Sequence, residues 1–187
     1  GKCLTGVYLK RTGVEPDEPF DSSTLRVFNI GKQAEAWMIQ HLKNNKDVKI
    51  EEQVRVEDKE LNVSGYIDAV LKKEDFVMPI EIKTQHSRSF WWMTKQGHPN
   101  NMHQYQLWLY LHLLPAEVGK LVYLSKDDNA IQEYFVRRDD IELENTVLGE
   151  LEVLNFALEH NMAPPPITDP KDNRYKLCRW HKSCLKP

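Results

Sequence analysis

The stretches GYIDAVL (residues 65–71) and PIEIKT (residues 79–84) decide the fold of this chain. The segments that contain them, 61–72 and 76–83, are rich in apolar and β-branched residues and are predicted to be strands. A short polar turn at residues 72–75 joins the two segments. The sequence therefore predicts two successive strands that can pair with each other.

Three charged side chains interrupt these apolar strands. Glu81 and Lys83 are two residues apart, so both point to one face of the sheet, while Ile80 and Ile82 point into the core on the other face. Asp68 lies in the middle of the preceding strand and comes close to Glu81 if the strands pair. Two carboxylates and one ammonium group would then share a small patch.

Such a patch has two interpretations. Neighbouring carboxylates raise each other's pKa, and a divalent cation removes that cost, so the oxygens of Asp68 and Glu81 suit Mg²⁺ or Mn²⁺. Lys83 would then orient or help to deprotonate an attacking water, or stabilise negative charge in the transition state. The alternative is an ion-pair network in which Lys83 only neutralises the two acids.

The periodicity of apolar residues predicts the rest of the fold. Helices are expected at residues 24–43, 101–114 and 139–160, further strands at 50–56, 120–125 and 131–137, and a long loop at 84–100. This pattern predicts the α/β class, as a single domain over residues 1–187 with a central mixed β-sheet flanked by helices.

Composition excludes several classes of protein. The 187-residue chain has no apolar run of the roughly 18 residues that cross a bilayer, so no membrane partner is expected. The N-terminal segment lacks the apolar stretch of a secretory signal, and three scattered cysteines do not make a disulfide scaffold, so a cytoplasmic location is expected. A net charge of −3 argues against a strongly basic nucleic-acid coat protein.

Residues 82–116 contain no Asp or Glu, although 28% of the whole chain is charged. The stretch instead carries Lys83, Arg88 and Lys95 together with four histidines. An acid-free window of this length favours a surface that meets an anionic partner. The alternative is chance combined with a buried helix.

The charged patch also carries a family resemblance. Asp68 followed by Glu81-Ile82-Lys83 resembles the D…E-x-K signature of the PD-(D/E)XK nuclease superfamily. The proline that the family places before the aspartate is Ile67 here. The resemblance implies a restriction-endonuclease-like core.

Two helical segments narrow the resemblance to the RecB-like branch of that superfamily. The segment 103–110, H-x-x-Q-x-x-x-Y, resembles the branch's Q-x-x-x-Y element and contains Gln106 and Tyr110. Upstream, the segment 28–35, F-x-x-G-x-x-x-E, resembles the first helical motif and ends in Glu35. The elements follow one another in the family's order.

The resemblance implies a role for each matching residue in the strands. Asp68, Glu81 and the main-chain carbonyl of Ile82 would bind the metal, and Lys83 would assist the attacking water. Glu35 would join the metal shell directly or through water. From the residues alone, a solvated helix acid is the alternative for Glu35.

Gln106 and Tyr110 would, by the same resemblance, support the site or touch the DNA backbone. They lie one turn apart on a single helical face, so a polar edge of a buried helix is the alternative interpretation.

The predicted loop at residues 84–100 follows directly after the E-x-K motif. It holds Arg88 and Lys95, which can contact phosphates, and Phe90, Trp91 and Trp92, which can stack on bases for roughly 1–3 kcal/mol per base. The alternative is that Phe90 and one of the tryptophans pack back onto the core.

The two ends of the chain carry a second candidate metal site, and their cysteines resemble those of CRISPR-associated and phage exonucleases that hold an iron–sulfur cluster. The candidate ligands are Cys3, Cys178, His181 and Cys184. An iron–sulfur cluster usually needs four thiolates, and this chain has three, so with His181 the set suits structural Zn²⁺. An iron–sulfur cluster is the other candidate, with a His ligand or with a fourth ligand from another chain. The site would join residues 1–20 to residues 165–187; the alternative is that the thiols never meet.

The predicted function is a Mg²⁺- or Mn²⁺-dependent deoxyribonuclease, by resemblance an exonuclease, that hydrolyses phosphodiester bonds in single- or double-stranded DNA. Its setting would be DNA processing or recombination in a prokaryotic cell or a phage-infected host. The alternatives are a non-catalytic nucleic-acid-binding or recombination accessory module on the same fold, and a partner-binding domain whose acids form only ion pairs.

Overall fold

The structure, a computed structural model, describes residues 2–185. At its centre is a five-stranded mixed β-sheet. The strands are β1 (Lys49–Asp58), β2 (Val63–Lys73), β3 (Phe76–Gln85), β4 (Val118–Ser125) and β5 (Ile131–Arg137). Their order in the sheet is their order in the chain. The β3–β4 pair is parallel, and the other neighbours are antiparallel. The predicted α/β class with a central mixed sheet is therefore confirmed.

Helices precede, interrupt and follow the strands. They are α1 (Leu4–Arg11), α2 (Ser22–Lys43), α3 (Ser87–Gln96), α4 (Asn101–Leu113), α5 (Ile141–Glu159) and α6 (Asn173–Lys176), with a 3₁₀ turn at Ser183–Leu185. The three helices predicted from periodicity correspond to α2, α4 and α5. Across residues 2–185, no helix combines the length and the apolar character needed to span a membrane.

The prediction of a long loop at residues 84–100 is wrong, because α3 occupies most of it. Phe90 and Met93, three residues apart, are both buried and give the helix its core-facing side. Asp127 accepts a 2.8 Å hydrogen bond from the first helical amide. Gly97 ends the helix in the left-handed conformation, at φ 77°.

The chain divides into two compact units. One comprises residues 23–144 and contains the sheet with α3, α4 and almost all of α2. The other comprises residues 2–22 and 145–185 and contains α1, α6 and most of α5.

In the sheet unit, α2 covers one face of the sheet. The shared core consists of Met38, Ile39, Ala69, Met78, Ile80, Ile82, Val122 and Leu124. Because side chains alternate along β3, Glu81 and Lys83 point to the opposite face, where Lys83 reaches α4. Glu81 and Lys83 thus lie on the face of β3 opposite the core shared with α2, next to α4.

In the other unit, the two ends of the chain are held to each other. Tyr8 on α1 packs with Leu154 and Ala157 on α5. The Trp180 indole donates a 2.8 Å hydrogen bond to the carbonyl of Val14. These contacts join N-terminal and C-terminal segments that are far apart in sequence.

Candidate active site

The hairpin of β2 and β3 brings the two predicted acids to one place. Its paired ladder ends at Ala69 and Ile80, so Asp68 and Glu81 are the next two residues in register. The Asp68 carboxylate accepts a 2.8 Å hydrogen bond from the main-chain amide of Ile82. Asp68 therefore stays attached to β3 at the point where the ladder stops.

Glu81 is the most deeply buried acid of the site, with 2% of its surface exposed. The Lys83 ammonium group donates a hydrogen bond to its Oε1. Its second oxygen, Oε2, is buried and has no hydrogen-bond partner among residues 2–185. Burial raises the pKa of Glu81 to about 7, and the charge of Asp68 adds to this effect.

The pKa values of two further carboxylates, Asp68 and Glu35, are also raised. Burial raises the pKa of Asp68, which is tied to the Ile82 amide. Burial also raises the pKa of Glu35 on α2, and the nearby charge of Asp68 raises it further. Glu35 is oriented by Gln53 of β1, whose side-chain amide donates a 2.8 Å hydrogen bond to it. Three acids from α2, β2 and β3 thus lie within electrostatic reach of one another.

A chain of hydrogen bonds holds Lys83 from the side of α4. Lys83 Nζ donates to Gln106 Oε1 at 3.2 Å, and Gln106 Nε2 donates to the Tyr110 hydroxyl at 3.0 Å. The Tyr110 hydroxyl donates in turn to the carbonyl of Tyr66 at 2.9 Å. Burial raises the pKa of Tyr110 to about 12, so it remains a neutral donor at physiological pH. These hydrogen bonds fix the orientation of the Gln106 side-chain amide.

Gly65 is needed because Tyr110 comes very close to the backbone of β2. A Cβ atom at position 65 would lie 3.1 Å from both the hydroxyl oxygen and a ring carbon of Tyr110. Any larger residue would push the ring away from the Tyr66 carbonyl. The glycine three residues before Asp68 therefore serves the hydrogen-bond chain.

The donor set fits a hard divalent cation. It consists of carboxylate oxygens, and Glu81 Oε2 is a buried acceptor that no protein group satisfies within the described range. No three His, Cys, Asp or Glu side chains of residues 2–185 are already arranged as a metal-ligand cluster. The metal-binding roles of Glu35, Asp68, Glu81 and the Ile82 carbonyl remain predictions.

The residues predicted to contact DNA lie on α3. Arg88, Trp91, Trp92 and Lys95 are exposed, whereas Phe90 is buried. Phe90 therefore packs on the core and is not available to stack on a base, whereas both tryptophans are exposed. The Trp91 indole donates a 3.0 Å hydrogen bond to Asp128.

The three cysteines lie in the unit formed by the chain ends, where they influence one another electrostatically but form no metal-ligand cluster within residues 2–185. The Cys178 sulfur lies 2.9 Å from where a Cβ of Gly6 would be, and Cys178 and Cys3 share a hydrogen bond. Burial raises the pKa of Cys184, and the charge of Cys3 adds to this effect. His181 directs Nδ1 to the carbonyl of Cys178 at 3.0 Å. Metal binding by this set stays a prediction.

Sequence analysis assigned no role to two residues of the site, although His103 is the first residue of the quoted H-x-x-Q-x-x-x-Y segment. His103 lies three residues before Gln106 on the same helical face, a spacing that was visible, and its Nδ1 is 2.8 Å from the hydroxyl of Tyr123. Gln53 occupies the place opposite Asp68 in the β1–β2 register, with a left-handed φ of 51°. No sequence signal marks Gln53, because its role is a contact with α2.

His103 provides a test of site burial through pH. Burial, assisted by the positive charge of Lys83, lowers the pKa of His103 to about 4. Between about pH 6.5 and pH 4 the unfolded chain binds a proton there that the folded chain does not, so this contribution to stability is lost as pH falls. We expect the free energy of unfolding, measured with urea, to fall by about 2–3 kcal/mol less in His103→Gln than in the wild type between pH 7 and pH 4.

The matched control is His41→Gln, since His41 is exposed on α2. The two variants are compared as differences from the wild type, because the acids Glu35, Asp68 and Glu81 contribute an opposite slope. Parallel pH profiles for wild type and His103→Gln would contradict a buried, neutral His103.

Comparison with known proteins identifies similar folds. The sequence matches no protein-family model and no curated protein. The structure is similar to the crystal structure of SSO0001, with a TM-score of 0.62 and 23% identity over 100% of this chain and 82% of that chain. It is also similar to an alkaline exonuclease, LHK-Exo from Laribacter hongkongensis (TM-score 0.59, 16% identity, 84% and 80% of the two chains).

LHK-Exo in complex with dAMP gives a TM-score of 0.60 at 18% identity, again over 84% of this chain and 80% of that chain. At these identities the likeness establishes a shared fold. The chain therefore has the fold of solved structures that include an exonuclease.

Proposed function

We propose that this chain is a Mg²⁺- or Mn²⁺-dependent deoxyribonuclease of the PD-(D/E)XK type, in its RecB-like branch, and that it acts as an exonuclease. The observation that carries the proposal is Glu81, a buried carboxylate with one oxygen on Lys83 and the other without a donor in the described range, beside Asp68. The fold shared with an alkaline exonuclease, and the dAMP complex of that protein, support a nucleic-acid substrate.

The residues available to hold the metal are Asp68 and Glu81, with Glu35 and the Ile82 carbonyl as further oxygen donors. A bound Mg²⁺ or Mn²⁺ supplies a Lewis acid that polarises the scissile phosphate and activates water. The acids of this chain contribute the negative charge that attracts the cation. The Ile82 amide keeps the Asp68 carboxylate in place for this task.

Lys83 is the group that we assign to the attacking water. Two of its three N–H bonds are directed to Glu81 and Gln106 within the described residues. The third N–H bond can orient the water or stabilise negative charge on a phosphate oxygen in the transition state. Gln106 holds the ammonium group in position because Tyr110 fixes its amide.

The setting that we propose is the reducing cytoplasm of a prokaryotic cell or a phage-infected host, during DNA processing or recombination. Its support is that the three cysteines, Cys3, Cys178 and Cys184, are too few and too scattered along the sequence for a disulfide scaffold.

A cleavage assay on end-labelled single- and double-stranded DNA tests the proposal. We expect hydrolysis with Mg²⁺ or Mn²⁺, none with EDTA, and products that shorten progressively from one labelled end. DNA binding without cleavage in either metal would overturn the enzyme in favour of an accessory module. Neither binding nor cleavage would leave a partner-binding domain, and cleavage at internal positions would replace the exonuclease by an endonuclease.

A further inference from the structure

The exposed face of α3 carries a stripe of cationic and aromatic side chains, formed by Arg88, Trp92 and Lys95. These residues follow at i, i+4 and i+7, so they lie on one side of the helix. Trp92 is 64% exposed. The opposite side buries Phe90 and Met93, so α3 presents the stripe from a fixed position on the sheet unit.

The cations of the stripe have no ion-pair partner. Residues 82–116 contain no acid, and neither Arg88 nor Lys95 forms an ion pair with any other described residue, while Asp127 and Asp128 bind Ser87 and Trp91 of the same helix. The Trp92 ring likewise makes no hydrogen bond within residues 2–185. An exposed ring between two cations matches a ligand that has negative charges and flat apolar groups along its length.

Trp91 adds a rigid edge to this surface. Its ring packs edge-on against Phe90, with 5.2 Å between the centroids, and its indole nitrogen is bound by Asp128. The Asp128 carboxylate repels phosphates on that side of the helix. A polyanion is therefore directed over Trp92 rather than over Trp91.

The stripe also starts close to the candidate active site. Arg88 is five residues after Lys83, so their Cα atoms are at most ~18 Å apart along the chain. A strand bound on the stripe can therefore reach the acids of β2 and β3 within a few nucleotides.

We propose that the stripe of Arg88, Trp92 and Lys95 binds an unpaired strand of DNA and leads it to the Lys83 site. Stacking on Trp92 requires a free base face, which paired bases do not offer, so the substrate class is DNA with a single-stranded segment. The direction of the strand towards Lys83 rests on the proposed nuclease function. Binding to the stripe does not depend on catalysis.

Fluorescence anisotropy in EDTA tests the binding without cleavage. The probe is a labelled oligo-dT of about 15 nucleotides, compared with an RNA of equal length and with a duplex. We expect Trp92→Ala to weaken oligo-dT binding about 5- to 150-fold, which corresponds to about 1–3 kcal/mol, while Trp92→Phe keeps most of the affinity. The matched control is Trp37→Ala, an exposed tryptophan of α2.

The cations have a separate signature. Arg88→Ala and Lys95→Ala should each reduce the slope of log K against log salt by about 0.7, whereas Trp92→Ala leaves the slope unchanged. Equal binding by the wild type and Trp92→Ala would overturn the proposal, as would an equal loss with the duplex. An equal loss with RNA would overturn the assignment to DNA in favour of any single strand.

The two proposals fail separately. If the wild type cleaves DNA with metal and Trp92→Ala binds oligo-dT normally, the binding role of the stripe is refuted and the nuclease function is supported. If Trp92→Ala binds weakly and the wild type does not cleave, the binding role is supported and the nuclease function is refuted.

Discussion

Replacing Lys83 with alanine is expected to reduce the rate of metal-dependent DNA cleavage by about 10²- to 10⁴-fold, the usual effect of removing a group that assists proton transfer or stabilises transition-state charge. Lys83 is held between Glu81 and Gln106, and its remaining N–H bond has no other partner in the described residues. DNA binding in EDTA should change little, because the stripe on α3 is intact. A large loss of rate with a small loss of binding identifies a group that acts in the chemical step.

The chain offers a close control in Lys120 on β4. Its side chain is 21% exposed, against 23% for Lys83, and it is paired with Glu133 as Lys83 is paired with Glu81. Lys120→Ala removes a lysine of similar burial from the same sheet and should cleave at close to the wild-type rate. Lys83→Gln keeps a polar side chain and guards against simple misfolding. Cleavage by Lys83→Ala within a few-fold of the wild type would refute the role.

The part of the site that could be predicted from sequence is the part that strand alternation determines. Glu81 and Lys83 occur two residues apart between buried isoleucines, and this period places both on one face in any sheet. The position of Asp68 next to Glu81 was also predictable, because the short turn between the two strands leaves them few ways to pair. Local rules therefore sufficed for the three central charges.

Features that depend on distant partners could not be predicted. The segment after β3 is polar and aromatic, and it becomes helical because Phe90 finds the core and Asp127, from beyond β4, caps its first turn. Gln53 adopts a left-handed backbone inside β1 and orients Glu35 on α2, a contact between segments that no periodicity connects. Such contacts exist only once the fold has formed.

Glu81→Gln is expected to make the metal-free protein more stable while abolishing cleavage. In the wild type, Glu81 buries a charge next to Asp68, and one of its oxygens has no donor in the described structure. The amide removes a buried like charge and still offers an acceptor to Lys83. Removing a like charge beside Asp68 relieves repulsion at a site that trades stability for function, and we expect the free energy of unfolding in EDTA to rise by about 0.5–2 kcal/mol.

Added metal should make the wild type more stable than Glu81→Gln, the opposite of the result expected in EDTA. A ligand that binds only the folded state stabilises it by about 2.7 kcal/mol at a concentration of 100 times Kd, and urea unfolding measured with increasing Mg²⁺ or Mn²⁺ detects this gain. The wild type should gain stability with metal and Glu81→Gln should gain much less, since it lacks one of the anionic ligands. Glu133→Gln makes the same change in an exposed pair and should alter stability by no more than about 0.5 kcal/mol.

The sign of the effect in EDTA separates the two interpretations of the acid patch. In an ion-pair network the attraction between Glu81 and Lys83 outweighs the repulsion between Glu81 and Asp68, so removing the Glu81 charge should cost about 3–5 kcal/mol. In a site arranged for a cation the repulsion between the acids is the larger effect, so the same substitution stabilises the metal-free chain. A destabilised Glu81→Gln that responds to metal as the wild type does would therefore refute the metal site. A stabilised, metal-insensitive variant without activity is the outcome expected of a site that trades stability for function.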